Sequence, residues 1–249
     1  MLVGAQAIYL HTGDADFATA EYTTDADFCV APGVLTDAPL LAGLLEARGF
    51  LPGEHPGAWS SPDGIPVDLM VPEALAGPRS RRRARLGPHG ERAARRAKGL
   101  EGAIVDRKLM TIPSLDPGTE RCVTMLVAGP AALLVAKVHK IAERIGVADR
   151  VSDKDALDAL RLLQATKTAK LVTGLDQLAD DELSRAVTAE AVLELAPLFG
   201  HPQAPGIGMA VRAARPNAEP DVIAASFTTL VSELLAAIGR GRTGTRDPS

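Results

Sequence analysis

The chain has 249 residues, 46% hydrophobic and 23% charged, enough apolar material for one large core or two modest ones and too much for a disordered chain. Aromatic residues make up 3%, with Trp59 the sole tryptophan, which excludes an aromatic base-stacking platform; Cys29 and Cys122 are too few for a disulfide scaffold or a cysteine zinc site and are expected as small buried fillers. The net charge of −4 divides unevenly: residues 79–98 hold nine Lys or Arg against Glu91, a local +8 that leaves −12 elsewhere, so this segment is expected either to meet a polyanion locally or to be a solvated, mobile insertion.

In chain order, residues 2–11 suit a helix with Leu2, Ala5, Ile8 and Tyr9 near one face. The opening MLVGAQAIYLH has neither the basic leader of a signal peptide nor the length of a membrane span, so a cytoplasmic protein is expected. The tetrapeptide DADF occurs twice. The first copy, with Asp14 and Asp16, follows Gly13 and leads into small residues, as an exposed loop does. The second is continued by Cys29 and Val30 as a short strand over 26–30, with Asp25, Asp27 and Cys29 on one face and Ala26, Phe28 and Val30 on the other.

A helix over 40–48 ends at Gly49, and AWSS and IPVDLMV flank Pro62, Asp63 and Gly64 as a hairpin. Residues 103–112 and 121–128 read as extended around Asp116, Pro117 and Gly118. From Pro130 the chain reads as helical: 130–145 with an apolar stripe of Leu134, Val138, Ile141 and Ile145, then 153–164, 179–199 and 220–238, with a Pro- and Gly-rich link at HPQAPGIG. The fold class expected is α+β: a mixed sheet flanked by helices over 1–128, a mainly helical part over 129–240 and a disordered tail over 241–249.

Two carboxylates on one strand face repel each other unless a cation neutralises them, and Mg²⁺ favours such oxygen ligands. Asp68, inside the apolar run of Val67, Leu69, Met70 and Val71, is placed to supply a third acid. The alternative is that Asp25 and Asp27 cap a surface turn and Asp68 lies on the wet face of an edge strand.

With VGAQAIYLH, TTDADF, VDLM, AALLVAKVHKIAER and KDALDAL in this order over about residues 3–163, the chain resembles the nucleotidyltransferase superfamily that includes the AbiEii-type and MenT toxins. In that family an early helix begins at a Gly-Gly or Gly-Ser, a D-x-D strand follows and a third acid comes on a later strand. The resemblance implies a nucleotidyltransferase-like fold, two Mg²⁺ ions held by Asp25, Asp27 and Asp68, and catalytic roles for these acids, Lys137 and Asp155. It implies nucleotide binding by Gly4, Ala5, Lys137 and Asp158, with Lys137 reaching the triphosphate. Lys137 shares a helix face with Leu133, Lys140 and Arg144 and could equally run its stem along the core; Ser152 with Asp155 also reads as a capping box. Ala5 brings no hydroxyl, and Glu21 stands where many relatives carry a basic residue.

The activity implied is transfer of a nucleoside monophosphate from an NTP to an acceptor hydroxyl. The acceptor expected is RNA, the 3′ end of a tRNA, bound through Arg81, Arg82, Arg83, Arg85, Arg92, Arg95 and Arg96, as in a toxin held by an antitoxin partner. Two alternatives stand beside it: a small-molecule nucleotidyltransferase acting on an aminoglycoside-like cation, and a non-catalytic RNA- or partner-binding module. Of the histidines, His139 is expected as a partly exposed helical group and His11 as a complement to a helix dipole.

Overall fold

The computed structural model describes residues 1–13, 24–78, 83–114, 118–145, 153–216 and 218–244, with side chains to 240. It is a mixed α/β fold whose chain order is β1 (Leu2–Val3), α1 (Gly4–Thr12), β2 (Ala26–Cys29), α2 (Leu41–Glu46), β3 (Leu51–Pro52), β4 (Ala58–Ser60), β5 (Pro66–Pro72) and β6 (Arg95–Ala97). There follow α3 (Glu101–Val105), β7 (Arg107–Pro113), β8 (Cys122–Ala128), α4 (Pro130–Ala142), α5 (Lys154–Ala165), α6 (Thr168–Asp180), α7 (Arg185–Phe199), α8 (Pro205–Ala214) and α9 (Pro220–Gly244). The strands form one mixed sheet in the order β3-β4-β5-β2-β1-β8-β7. β6 pairs in parallel with the second half of β5, beyond the stretch that pairs antiparallel with β4.

Period-two alternation divides the sheet's side chains between two cores. Cys29 of β2 and Met70 of β5 join Leu2, Val3, Val127 and the buried faces of α1, α4 and α5 in the larger core, which extends through α9. Leu69 and Val71, pointing the other way, pack with Trp59, Ala76, Ala84, Leu86 and Ala94 in a smaller one. The helices after residue 129 therefore share a core with the centre of the sheet.

The hairpin β4–β5 forms as expected, as do β2, α2, α4 and α5. Several elements differ. Leu2 and Val3 are a strand, because they complete the sheet between β2 and β8. Residues 103–105, expected as extended, belong to α3, where Gly102 and Ala103 are buried against α4 and α6. α6 has no counterpart among the expected helices, and α8 starts inside the link expected at 201–208, with Pro205 in its first turn. Ile145 lies past the end of α4 and is exposed.

α9 runs to Gly244, four residues into the expected tail, and 245–249 lie outside the described residues. Within residues 220–240 of α9 an 18-residue window has mean hydropathy 1.8, long and apolar enough to cross a bilayer, and the Ile223, Phe227, Val231, Leu234 and Ile238 stripe is buried in the larger core. The first DADF copy, Glu21, Asp116, Pro117 and Ser152 also lie outside the described residues. Of the cysteines, Cys29 is the buried filler expected, its thiol pushed up to about 12 by burial, whereas Cys122 is exposed at the start of β8.

Candidate active site

Asp27 and Asp68 are register partners across the parallel strands β2 and β5. Strands in a sheet lie about 4.8 Å apart and register partners face the same way, so the two carboxylates rise side by side. The face is the one that continues through Cys29 and Met70 into the larger core. Asp25 precedes β2 and is exposed. Burial pushes the Asp27 carboxyl above its ordinary value, Lys140 opposes this, and the negative charges of Asp25 and Asp68 reinforce it, with Lys137 a weaker opposing charge. The D-x-D strand, the later acid and two lysines of α4 thus act on one another electrostatically.

Gly4 fixes how closely α1 approaches this group. Its φ is +68°, and a Cβ built there would lie 2.1 Å from Asp27 Oδ2. The Asp27 carboxylate therefore rests against the start of α1, where the helix dipole favours negative charge. Ala5 follows in the first turn, half-buried. Gly4→Ala is expected to combine left-handed backbone strain, about 1–2 kcal/mol, with displacement of Asp27. The check is a thermal melt beside a metal titration, in which a loss of metal affinity at least as large as the loss of stability is expected.

Lys137 is 5% exposed, and its ammonium donates to Asp155 Oδ1 at 2.6 Å and Asp158 Oδ2 at 2.7 Å. Asp155 also meets Lys140 at 3.1 Å and Arg144, and Asp158 meets Arg161 at 3.3 Å. Arg161 stacks over the Tyr9 ring, 5.3 Å from its centroid, which ties α5 to α1. Burial acts against the charge on Lys137, but Asp158 and Asp155 outweigh it and hold the ammonium above its ordinary value. Burial likewise pushes Asp155 up, and Lys137, Lys140 and Arg144 outweigh it to bring the carboxyl to about 2. Of the two readings open for Asp155, its carboxylate takes the cations of α4, and the N-cap position of α5 is Asp153.

The basic segment is built into the sheet from Arg83 on. Ala84, Leu86 and Ala94 pack in the smaller core, and Trp59 Nε1 donates to the Ala93 carbonyl at 3.0 Å. The expected RNA ligands consequently separate. Arg95 donates from Nε at 2.9 Å and Nη2 at 2.8 Å to Asp68 Oδ2, and Arg96 donates to Glu73 at 3.4 Å and to the Gly77 carbonyl. Arg92 donates to the Gly53 carbonyl, and Arg83 and Arg85, each more than half exposed, pair with Glu91. Arg81 and Arg82 lie outside the described residues. Arg95 and Arg96 are thus turned toward acids of the fold.

The acids fit a hard cation by donor type, since Asp25, Asp27 and Asp68 all offer carboxylate oxygens and Asp27 is held against two like charges. As placed, no three acidic, histidine or cysteine side chains among the described residues stand together closely enough to hold an ion, and Arg95 occupies Asp68 Oδ2. Asp68 retains Oδ1.

The sequence signal gave no role to Lys140 or Arg144, and it assigned Arg95 to RNA and not to Asp68. Lys140 and Arg144 were visible as sharing the Lys137 face, whereas the partnership of Arg95 with Asp68 depends on β6 joining β5. His139 corrects the expectation of a partly exposed group: it is 4% exposed, with Nε2 2.8 Å from the Val187 carbonyl. His11 Nε2 lies 2.7 Å from the Ala128 carbonyl, tying the end of α1 to β8.

The two cavities described lie elsewhere. One of about 270 Å³ is lined by Asp106, Pro130, Ala131, Lys170, Thr173, Gly174 and Gln177, and one of about 200 Å³ lies between α6, α7 and α9. Neither is lined by the sheet acids or by Lys137. No protein-family model matches the chain, and no curated protein or solved structure matches it.

Proposed function

We propose that the chain is a nucleotidyltransferase-like protein that moves a nucleoside monophosphate from an NTP to an acceptor hydroxyl. The register of β2 on β5, with Asp27 beside Asp68 and the cations of α4 acting on Asp27, carries this reading. In the reaction the acceptor oxygen forms a bond to the α-phosphorus while the bond to the bridging oxygen breaks and pyrophosphate leaves. Asp68 would receive the hydroxyl proton at the oxygen that Arg95 leaves open. Asp25, Asp27 and Asp68 would hold Mg²⁺, which when bound supplies charge stabilisation at the phosphoryl group. Lys137, Asp155 and Asp158 hold α4 and α5 in the relation that presents the remaining cations.

RNA, and in the toxin-like reading the 3′ end of a tRNA, is the acceptor proposed, because Arg83 and Arg85 project from the surface of the basic segment. An antitoxin partner belongs to the same proposal. The test is incubation with each labelled NTP, Mg²⁺ and cellular RNA, comparing the intact protein with Asp25→Ala and Asp27→Ala. Label is expected in RNA only with intact protein; no transfer from any NTP, or transfer indifferent to both substitutions, rejects the reading.

One observation favours a second reading. The pairing of Arg95 with Asp68 neutralises the third acid within the protein, as a non-catalytic binding module with the same fold would have it. Titration with Mg²⁺ and Mn²⁺ separates the two: only the enzyme requires that a divalent ion bind in competition with Arg95, and Arg95→Ala then strengthens metal binding.

A further inference from the structure

Two lysines on one face of α4 have opposite circumstances. Lys137 uses two of its three ammonium protons on Asp155 and Asp158, and it is almost wholly enclosed. Drawing it toward a ligand would leave two buried carboxylates without their shared cation, and breaking such a pair strongly destabilises a fold. Lys140, less than one helical turn further on, is 42% exposed along its side chain and meets Asp155 Oδ1 at 3.1 Å. Asp155 keeps Lys137 and Arg144 when Lys140 leaves. The Lys140 contact is therefore the one that can be exchanged at small cost.

The direction of exchange is also defined. Lys140 meets Asp155 at 3.1 Å, and its charge and that of Asp27 act on each other, so one ammonium is shared electrostatically by the α5 acid and the sheet acid. Burial lowers its affinity for a proton and the neighbouring Lys137 and Arg144 add to this, while Asp155 and Asp27 oppose it. A cation crowded by two others gains from an incoming anion. Its four-carbon stem ends in a compact point charge that can turn without a fixed fork geometry.

We propose that Lys140, and not Lys137, is the side chain that contacts the phosphate chain of the nucleotide, Lys137 being the positioning residue that locks α4 to α5. The inference rests on the nucleotidyl-transfer reading for its ligand, a nucleoside triphosphate. It assigns the contact to a residue that the family resemblance does not single out.

The experiment measures binding of each NTP with Mg²⁺, and separately of inorganic tripolyphosphate without metal, to the intact protein, Lys140→Ala and Lys140→Arg, with a thermal melt of each. Lys140→Ala is expected to weaken both ligands about tenfold to a hundredfold, the range for a charge-assisted hydrogen bond, while melting close to the intact protein. Lys140→Arg should recover most of the affinity, which a merely structural role would not require. Should Lys140→Ala melt early, Lys140→Gln, which keeps a donor for Asp155 and removes the charge, provides the same comparison. Unchanged affinity in both neutral variants overturns the proposal. If the intact protein binds tripolyphosphate but no NTP, nucleotidyl transfer fails while the Lys140 contact is still decided by its variants. An intact protein that binds neither overturns both.

Discussion

Lys137→Met is expected to cost about 3–5 kcal/mol of folding stability, the range for removing one member of a buried ion pair, and to lower the melting temperature on the order of 10 °C for a chain of this size. Methionine matches the lysine stem in length, so the loss isolates the charge. What remains is Asp155 facing Lys140 and Arg144, and Asp158 facing Arg161 at 3.3 Å, pairs that replace the enclosed contacts at 2.6 and 2.7 Å only in part. Chemical denaturation at neutral pH measures the difference, and a loss below about 1 kcal/mol, the worth of an exposed pair, would show the cluster to be ornamental.

The same cluster predicts an acid limb. Asp155 has its carboxyl lowered from an ordinary 3.8 to about 2 in the folded protein. A lowered carboxyl contributes stability that is complete above its unfolded value and is lost as pH falls through the folded value, here about 2 kcal/mol at most. Asp155→Asn is expected to remove that limb, leaving denaturation midpoints flatter between about pH 5 and pH 2.

Asp27→Asn is expected to act in the opposite sense on stability and severely on activity. Burial and the charges of Asp25 and Asp68 raise the Asp27 carboxyl, against the pull of Lys140 and Lys137. A raised carboxyl destabilises the fold at any pH where it is ionised: the penalty is absent below the unfolded value, grows as pH rises through it, and is complete above the raised folded value. Asparagine removes the penalty. The variant should melt above the intact protein at neutral pH, and the gap should close in acid.

On the proposed nucleotidyl-transfer reading, Asp27→Asn should lower transfer about a hundredfold to a thousandfold, since a carboxylate proposed to hold the metal is removed. A variant that is less stable at neutral pH would show that Asp27 serves the fold. Gain of stability with loss of transfer marks a group kept for chemistry at a structural cost.

How much of this arrangement was legible in the sequence differs from segment to segment. β2 and β5 were readable because alternation has a period of two, so TTDADFCV and IPVDLMV each announce an apolar and a polar face. α6 lies in the stretch read as helical but was not delimited as a helix of its own, and Gly174 shows why. Glycine in a helix reads as a weak point, yet here a Cβ would lie 2.6 Å from the Ala131 Cβ, so its absence is what lets α6 pack against α4. His139 was misjudged for a similar reason: its burial depends on α7 crossing over α4 and offering the Val187 carbonyl.

The sequence by itself determined which segments carry alternating or helical periodicity, that acids lie on one strand face and recur on a later strand, and that Lys137 and Lys140 share one helix face. Those are local properties, set by backbone geometry within a few residues. Only the tertiary structure decided that Asp27 stands beside Asp68, that Arg95 pairs with Asp68 instead of pointing to solvent, and that Lys137 is enclosed while Lys140 is open. Each of these depends on strand register or helix packing between segments tens of residues apart. The charge a side chain meets there is a property of the assembled fold and of no stretch of chain taken alone.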